Sequence, residues 1–252
     1  PENPMTPQTR TPGAPNATDA ASRLPVVAQF LAVGGLFLVG VAAVSAVLTG
    51  GVTTLGTLVA LGLYAAFLGF GAMGLRGFPH GTLGLCNVVT LFRLILVAGL
   101  VAALLTPGAG AMALFGVAAI ALSLDGLDGW LARRSGHQSD FGARFDMEVD
   151  AVLALVLAGL AYFGGHAGAF VLMLGLPRYV FWLAQVPMPW LNGDLPERFS
   201  RKLTCVVQIG VLIAVLLPIF SRFTADLLVA AAALMLVWSF AWDIRHLWRT
   251  RA

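Results

Sequence analysis

Four carboxylates at helical spacing are the residues of this chain best placed to do chemistry. Asp125 and Asp128 stand three positions apart and Asp146 and Asp150 four apart, so each pair occupies one face if its segment is helical. Two such faces brought together form a box of carboxylate oxygens. Hard oxygen donors of this kind suit Mg²⁺, Mn²⁺ or Ca²⁺ rather than zinc. The stretch 125–150 also holds Asp140 and Glu148, making six of the chain's 12 acidic residues. Ionisable groups set into an apolar, membrane-like chain are costly, and they point to function. Gly129, Ala132 and Gly142 leave the faces beside the acids without bulk, and Arg133 adds a cation one turn on. A bare patch beside metal-binding acids fits a nucleotide diphosphate lying against the helices.

The elements that must carry these residues are membrane helices. The chain has 252 residues, 59% hydrophobic and 11% charged, with a mean hydropathy of +0.88. A soluble domain carries about a quarter charged residues. The net charge of +3 does not indicate nucleic acid, because the basic residues form no stripe; they read as determinants of topology. Cys86 and Cys205 show neither metal-ligand spacing nor a disulfide pattern, and read as small buried hydrophobes.

The pattern Asp125-x2-Asp128-Gly129-x2-Ala132-Arg133-x8-Gly142-x3-Asp146-x3-Asp150 resembles the signature of the CDP-alcohol phosphatidyltransferases, with every fixed position and spacing present. The resemblance implies a phospholipid-synthesising enzyme. It would move a phosphatidyl group from CDP-diacylglycerol to the hydroxyl of a small polar alcohol and release CMP. It implies that Asp125, Asp128 and Asp146 are chiefly metal ligands, that Asp150 is a ligand and the general base, and that the cofactors are Mg²⁺ or Mn²⁺, two ions. Gly129, Ala132, Arg133 and Gly142 would line the CDP site. Homodimers are common in the family, so a homodimer is expected.

Upstream, Asn87, Thr90 and Arg93 drift around one side of a helix at i, i+3 and i+6. Alone they could be end caps and a snorkelling anchor. Their similarity to the helix that this family places ahead of its acids favours a polar wall of the CDP site. Arg178, beside Pro177 within an apolar run, is either a structural partner of an acid or a substrate-pocket cation opened by a proline kink; the second reading is preferred. With Arg144, Arg201 and Lys202 it leans toward an acceptor bearing a phosphate. The acceptor itself stays open among glycerol 3-phosphate, inositol phosphate, serine and choline.

Taken in order, residues 1–24 read as a disordered cytoplasmic tail, and 25–78 as a two-helix membrane extension (spans 26–48 and 54–75). Residues 79–252 read as a six-helix catalytic membrane domain with spans 83–106, 111–133, 141–162, 167–190, 203–220 and 227–242. The fold class is therefore an all-α polytopic membrane protein of about eight transmembrane helices. The glycines of the first two spans read mostly as lipid-facing filler. Asp140 suits a helix N-terminus, and His137 reads as a solvated turn residue.

With the N-terminus inside, 13 basic residues fall on the cytoplasmic side and only Arg222 on the other, Arg178 lying within a span. This is the positive-inside asymmetry. It places both termini and the acids at the cytoplasmic face, with a bacterial inner membrane as the expected home. Two competing functions remain. One swaps the donor, with CDP-choline or CDP-ethanolamine acting on diacylglycerol. The other is a cation- or proton-coupled transporter, which predicts inverted repeats and polar residues at all depths; neither is visible.

Overall fold

The structure, a computed structural model, describes residues 25–51, 54–76, 78–106, 108–136, 138–193 and 198–250. The tail of residues 1–24 and His137 lie outside the described residues. Helices α1 (Val26–Thr49), α2 (Leu55–Gly74), α3 (Leu85–Leu105), α4 (Ala111–Ser135) and α5 (Asp140–Phe163) follow one another through short turns. Then come two short helices, α6 (Leu172–Gly175) and α7 (Pro177–Gln185), flanked by 3₁₀ turns at Ala169–Val171 and Pro189–Asn192. Two further helices, α8 (Phe199–Ala214) and α9 (Arg222–Thr250), complete the chain, and no strand occurs among the described residues.

Local chemistry sets these boundaries. The Thr54 side chain caps α2 by accepting the Thr57 N–H at 3.1 Å. Ser139 does the same for α5, accepting the Gly142 N–H at 3.0 Å. Both serve the orphan donors of a first turn. Gly136, at φ 66°, ends α4 in the left-handed region that a residue without a Cβ enters most cheaply. This stop and the Ser139 cap set how tightly α4 turns back into α5, and hence how closely the two acid pairs approach.

Helix α3 is the axis of the assembly, with 14 of its 21 residues buried, and α1, α2, α4 and α5 pack around it. Small residues bring the backbones close: Gly56 donates its N–H to Thr106 Oγ1 at 3.2 Å. A Cβ on Gly56 would collide with the Ala102 carbonyl, and one on Gly34 with Leu68. Gly40 and Gly71 are also packed, whereas Gly35, Gly62 and Gly69 face open space. The expectation of lipid-facing filler thus holds for only part of the set.

Among the described residues, five helices, α1, α2, α3, α4 and α9, are long and apolar enough to cross a membrane. At 24 residues α1 extends about 36 Å, enough for the roughly 30 Å hydrocarbon core. Helix α5 is as long but opens with Asp140, Arg144, Asp146, Glu148 and Asp150. The run 167–190 is not one kinked helix. It breaks at Leu176, and Pro177 starts α7, where its missing N–H costs nothing. Span 227–242 and the tail behind it form one continuous helix, α9, of 29 residues. Cys86 is buried as expected, but Cys205 is exposed.

Candidate active site

The last turns of α4 carry Asp125 and Asp128, and the first turns of α5 carry Asp146 and Asp150. Carboxylate oxygens of Asp125, Asp128 and Asp146 lie within 4.8 Å of one another. Hard divalent ions take oxygens at roughly 2.0–2.6 Å, so donors on opposite sides of one ion stand about 4–5 Å apart. The three acids therefore fit such an ion in both chemistry and spacing. Asp150 adds a buried Oδ1 that makes no hydrogen bond but lies 3.3 Å from Arg93 Nη2, at the edge of the same cluster.

Arg93 occupies the centre. Its Nη1 lies 2.5 Å from Asp125 Oδ1 and 3.5 Å from Asp128 Oδ2. Its Nη2 pairs with Asp146 Oδ1 and lies 3.3 Å from Asp150 Oδ1. One fully buried guanidinium thus faces all four acids, a geometry that its planar fork allows and a lysine ammonium would not. Helix α3 supplies two more polar groups. The Thr90 hydroxyl lies 3.0 Å from Asp128 Oδ2 and 3.1 Å from the Cys86 carbonyl, to either of which it can donate. The Asn87 amide donates to the Leu83 carbonyl at 2.5 Å, and its Oδ1 would be 3.3 Å from a Cβ on Gly142. The i, i+3, i+6 drift thus brings Thr90 and Arg93 onto the acids.

The signature residues without charge sit beside this cluster. A Cβ on Gly142 would also lie 3.2 Å from Ser139 Oγ, so that glycine permits the approach of α5 to α3 as well as leaving a bare face. A Cβ on Gly129 would meet only the Arg133 guanidinium, at 3.4 Å. Ala132 is half-buried and Arg133 exposed.

The cations expected around an acceptor divide. Arg178 pairs with Glu148 Oε1 at 2.5 Å, both side chains half-exposed, so the alternative of a structural partnership describes its contact. Arg144 and Lys202 are exposed and Arg201 half-buried. Arg198, which the sequence pattern does not single out, pairs with the buried Asp243 at 3.0 Å and lies 3.4 Å over the Trp242 ring. That contact locks α8 to α9 and combines an ion pair with a cation–π interaction.

The family model described as CDP-alcohol phosphatidyltransferase matches residues 83–242, a stretch that begins just before α3 and ends within α9. No curated protein and no solved structure matches the chain. The matched stretch contains all four acids, Arg93 and the turn that joins α4 to α5. The chain belongs to the CDP-alcohol phosphatidyltransferases, enzymes that transfer substituted phosphate groups in phospholipid synthesis.

Proposed function

We propose that the chain transfers a phosphatidyl group from CDP-diacylglycerol to the hydroxyl of a small polar alcohol, with release of CMP. The observation that carries this reading is the three-carboxylate cluster at the facing ends of α4 and α5, set in a chain of apolar helices. A diacylglycerol-bearing donor needs its tails in lipid and its nucleotide at a polar rim.

Asp125, Asp128, Asp146 and Asp150 would hold two Mg²⁺ or Mn²⁺ ions, whose charge would neutralise the diphosphate and make CMP a better leaving group. Gly129, Ala132, Arg133 and Gly142 line the CDP, with Asn87 and Thr90 on the α3 side. Asp150 takes the proton of the acceptor hydroxyl. The acceptor oxygen then bonds to the lipid-side phosphorus, and the bond from that phosphorus to the CMP oxygen breaks. Arg144, Arg178, Arg201 and Lys202 favour an acceptor that carries a phosphate.

In the proposed arrangement α5, the α6–α7 segment and α8 join the five long apolar helices in a bundle of about eight spans. Residues 25–78 form an extension to a catalytic unit of 79–252. The acids face the cytoplasm of a bacterial cell, and the protein is a homodimer.

The test is CMP release by purified protein in mixed micelles containing CDP-diacylglycerol and Mg²⁺ or Mn²⁺, with alcohols supplied one at a time. Release that needs the metal and one alcohol is the expected result. Silence with every alcohol in folded protein, followed by release from CDP-choline plus diacylglycerol, would replace the donor in this proposal.

A further inference from the structure

Helices α1 and α2 lie outside the matched stretch 83–242, yet they grip α5 at the acids. Phe30 of α1, fully buried, meets Phe141 and Phe145 edge-on at 6.1 and 5.9 Å between ring centroids. Phe67 of α2 meets Phe145 at 6.0 Å. Phe141 and Phe145 stack on each other at 5.6 Å. The fit leaves no slack, since a Cβ on Gly71 would lie 2.5 Å from Phe30 Cζ and 3.3 Å from Phe145 Cε2, and one on Gly74 would lie 2.9 Å from Phe141 Cδ2. The same end of α1 reaches α3, where Gln29 Oε1 accepts the Leu83 N–H at 3.2 Å.

Helix geometry turns this grip into control of the acids. Phe141 and Phe145 form one i, i+4 stripe of α5, and Gly142, Asp146 and Asp150 form the next, about 100° round. A rotation of the first turns of α5 that moves the rings must move the carboxylates by a similar arc. In lipid, helices hold one another mainly through close packing, so the shape of this contact sets that rotation.

We propose that the α1–α2 hairpin is a positioning element for the site: Phe30, seated against Gly71, fixes through Phe141 and Phe145 where Asp146 and Asp150 stand relative to Asp125 and Asp128. The inference rests on the functional reading above. Losing a hydrogen-bond partner of a metal ligand costs about 10–100-fold in affinity or activity, and a displaced ligand-bearing turn is expected at the lower end of that range.

The experiment uses the full chain in mixed micelles. It measures Mn²⁺ binding from the loss of the free-ion paramagnetic resonance signal, together with CMP-release kinetics. Gly71→Ala drives a methyl into Phe30 and is expected to weaken Mn²⁺ half-saturation and lower kcat by about tenfold each, with the acceptor KM held. Phe30→Leu with Gly71→Ala makes room and restores both. Gly56→Ala collides with the Ala102 carbonyl at the opposite end of the same hairpin; it lowers thermal stability but leaves Mn²⁺ half-saturation unchanged. Phe30→Leu alone opens a gap without a collision and shifts half-saturation in the same direction, which keeps the test decisive if Gly71→Ala does not fold.

Gly71→Ala or Phe30→Leu protein with unaltered half-saturation and kcat would overturn the inference alone. So would equal shifts in Gly56→Ala and Gly71→Ala with no rescue in the double variant, since the hairpin would then act as bulk support. Unaltered chain that neither binds Mn²⁺ nor releases CMP would overturn the functional reading and this inference with it.

Discussion

Arg93 Nη1 lies 2.5 Å from Asp125 Oδ1, and through Nη2 the same guanidinium reaches Asp146 and Asp150. A single side chain of α3 therefore ties the acids of α4 to those of α5. Arg93→Ala removes the countercharge of the buried Asp128 and of three partly exposed carboxylates, and breaking a buried pair alone costs about 3–5 kcal/mol. A lowered Tm that Mn²⁺ partly restores is expected in detergent. Arg93→Lys keeps the charge but not the fork and should recover stability better than turnover; a lysine variant of normal kcat would show that charge alone suffices.

Asp150 stands apart from the three oxygens that cluster within 4.8 Å. Asp150→Asn is therefore expected to lower kcat by about 10²–10⁴-fold, the range of a lost general base, with a smaller loss of Mn²⁺ affinity than the other three variants. Asp125→Asn, Asp128→Asn and Asp146→Asn should lose Mn²⁺ binding first. Titrating the four variants in parallel separates the roles, and near-normal turnover in Asp150→Asn would remove the base from that position.

Gly142 and Gly126 make a contrasting pair. A Cβ on Gly142 would press on Ser139 Oγ and Asn87 Oδ1 at 3.2 and 3.3 Å, whereas one on Gly126 meets nothing within 4 Å. Gly142→Ala is expected to disturb the α5 cap, at a cost of about 1 kcal/mol, and to raise the KM for the CDP donor. Gly126→Ala should be neutral or stabilising, by up to about 1 kcal/mol, as for glycine in a helix interior. Thermal melts and donor titrations read both.

The Arg178–Glu148 pair is half-exposed, and such pairs contribute about 0.2–1 kcal/mol. Neither Arg178→Gln nor Glu148→Gln should unfold the protein. If Arg178 serves the acceptor, Arg178→Gln raises the KM of a phosphate-bearing acceptor about tenfold, the effect of one lost charge-assisted contact, and Glu148→Gln does not. Equal, small changes in both variants with KM unmoved would assign the pair to holding α5 against α7.

The acids were legible in the sequence because their chemistry demands fixed residue types at helical intervals, and the long helices because a bilayer sets their length. The position of Arg93 was not. Its spacing from Asn87 and Thr90 fixed a side of α3, but which helices meet that side depends on packing between segments 30 to 60 residues apart. Phe30 and Phe67 were illegible for a different reason. In lipid, a side chain that faces the bilayer and one that faces another helix share the same composition, so their contact with Phe145 left no mark in the pattern. The break at Leu176 was half-legible: Pro177 and Arg178 marked an interruption, but a proline can kink a helix as well as start one.

Four carboxylates less one guanidinium give the Arg93 site a formal charge of −3. A diphosphate approaching that charge alone is repelled. One divalent cation leaves the total at −1, still unfavourable, and two bring it to +1, which attracts the anion. In the proposed reaction, the arginine would tip the electrostatic sum toward attraction of the diphosphate once two ions were bound.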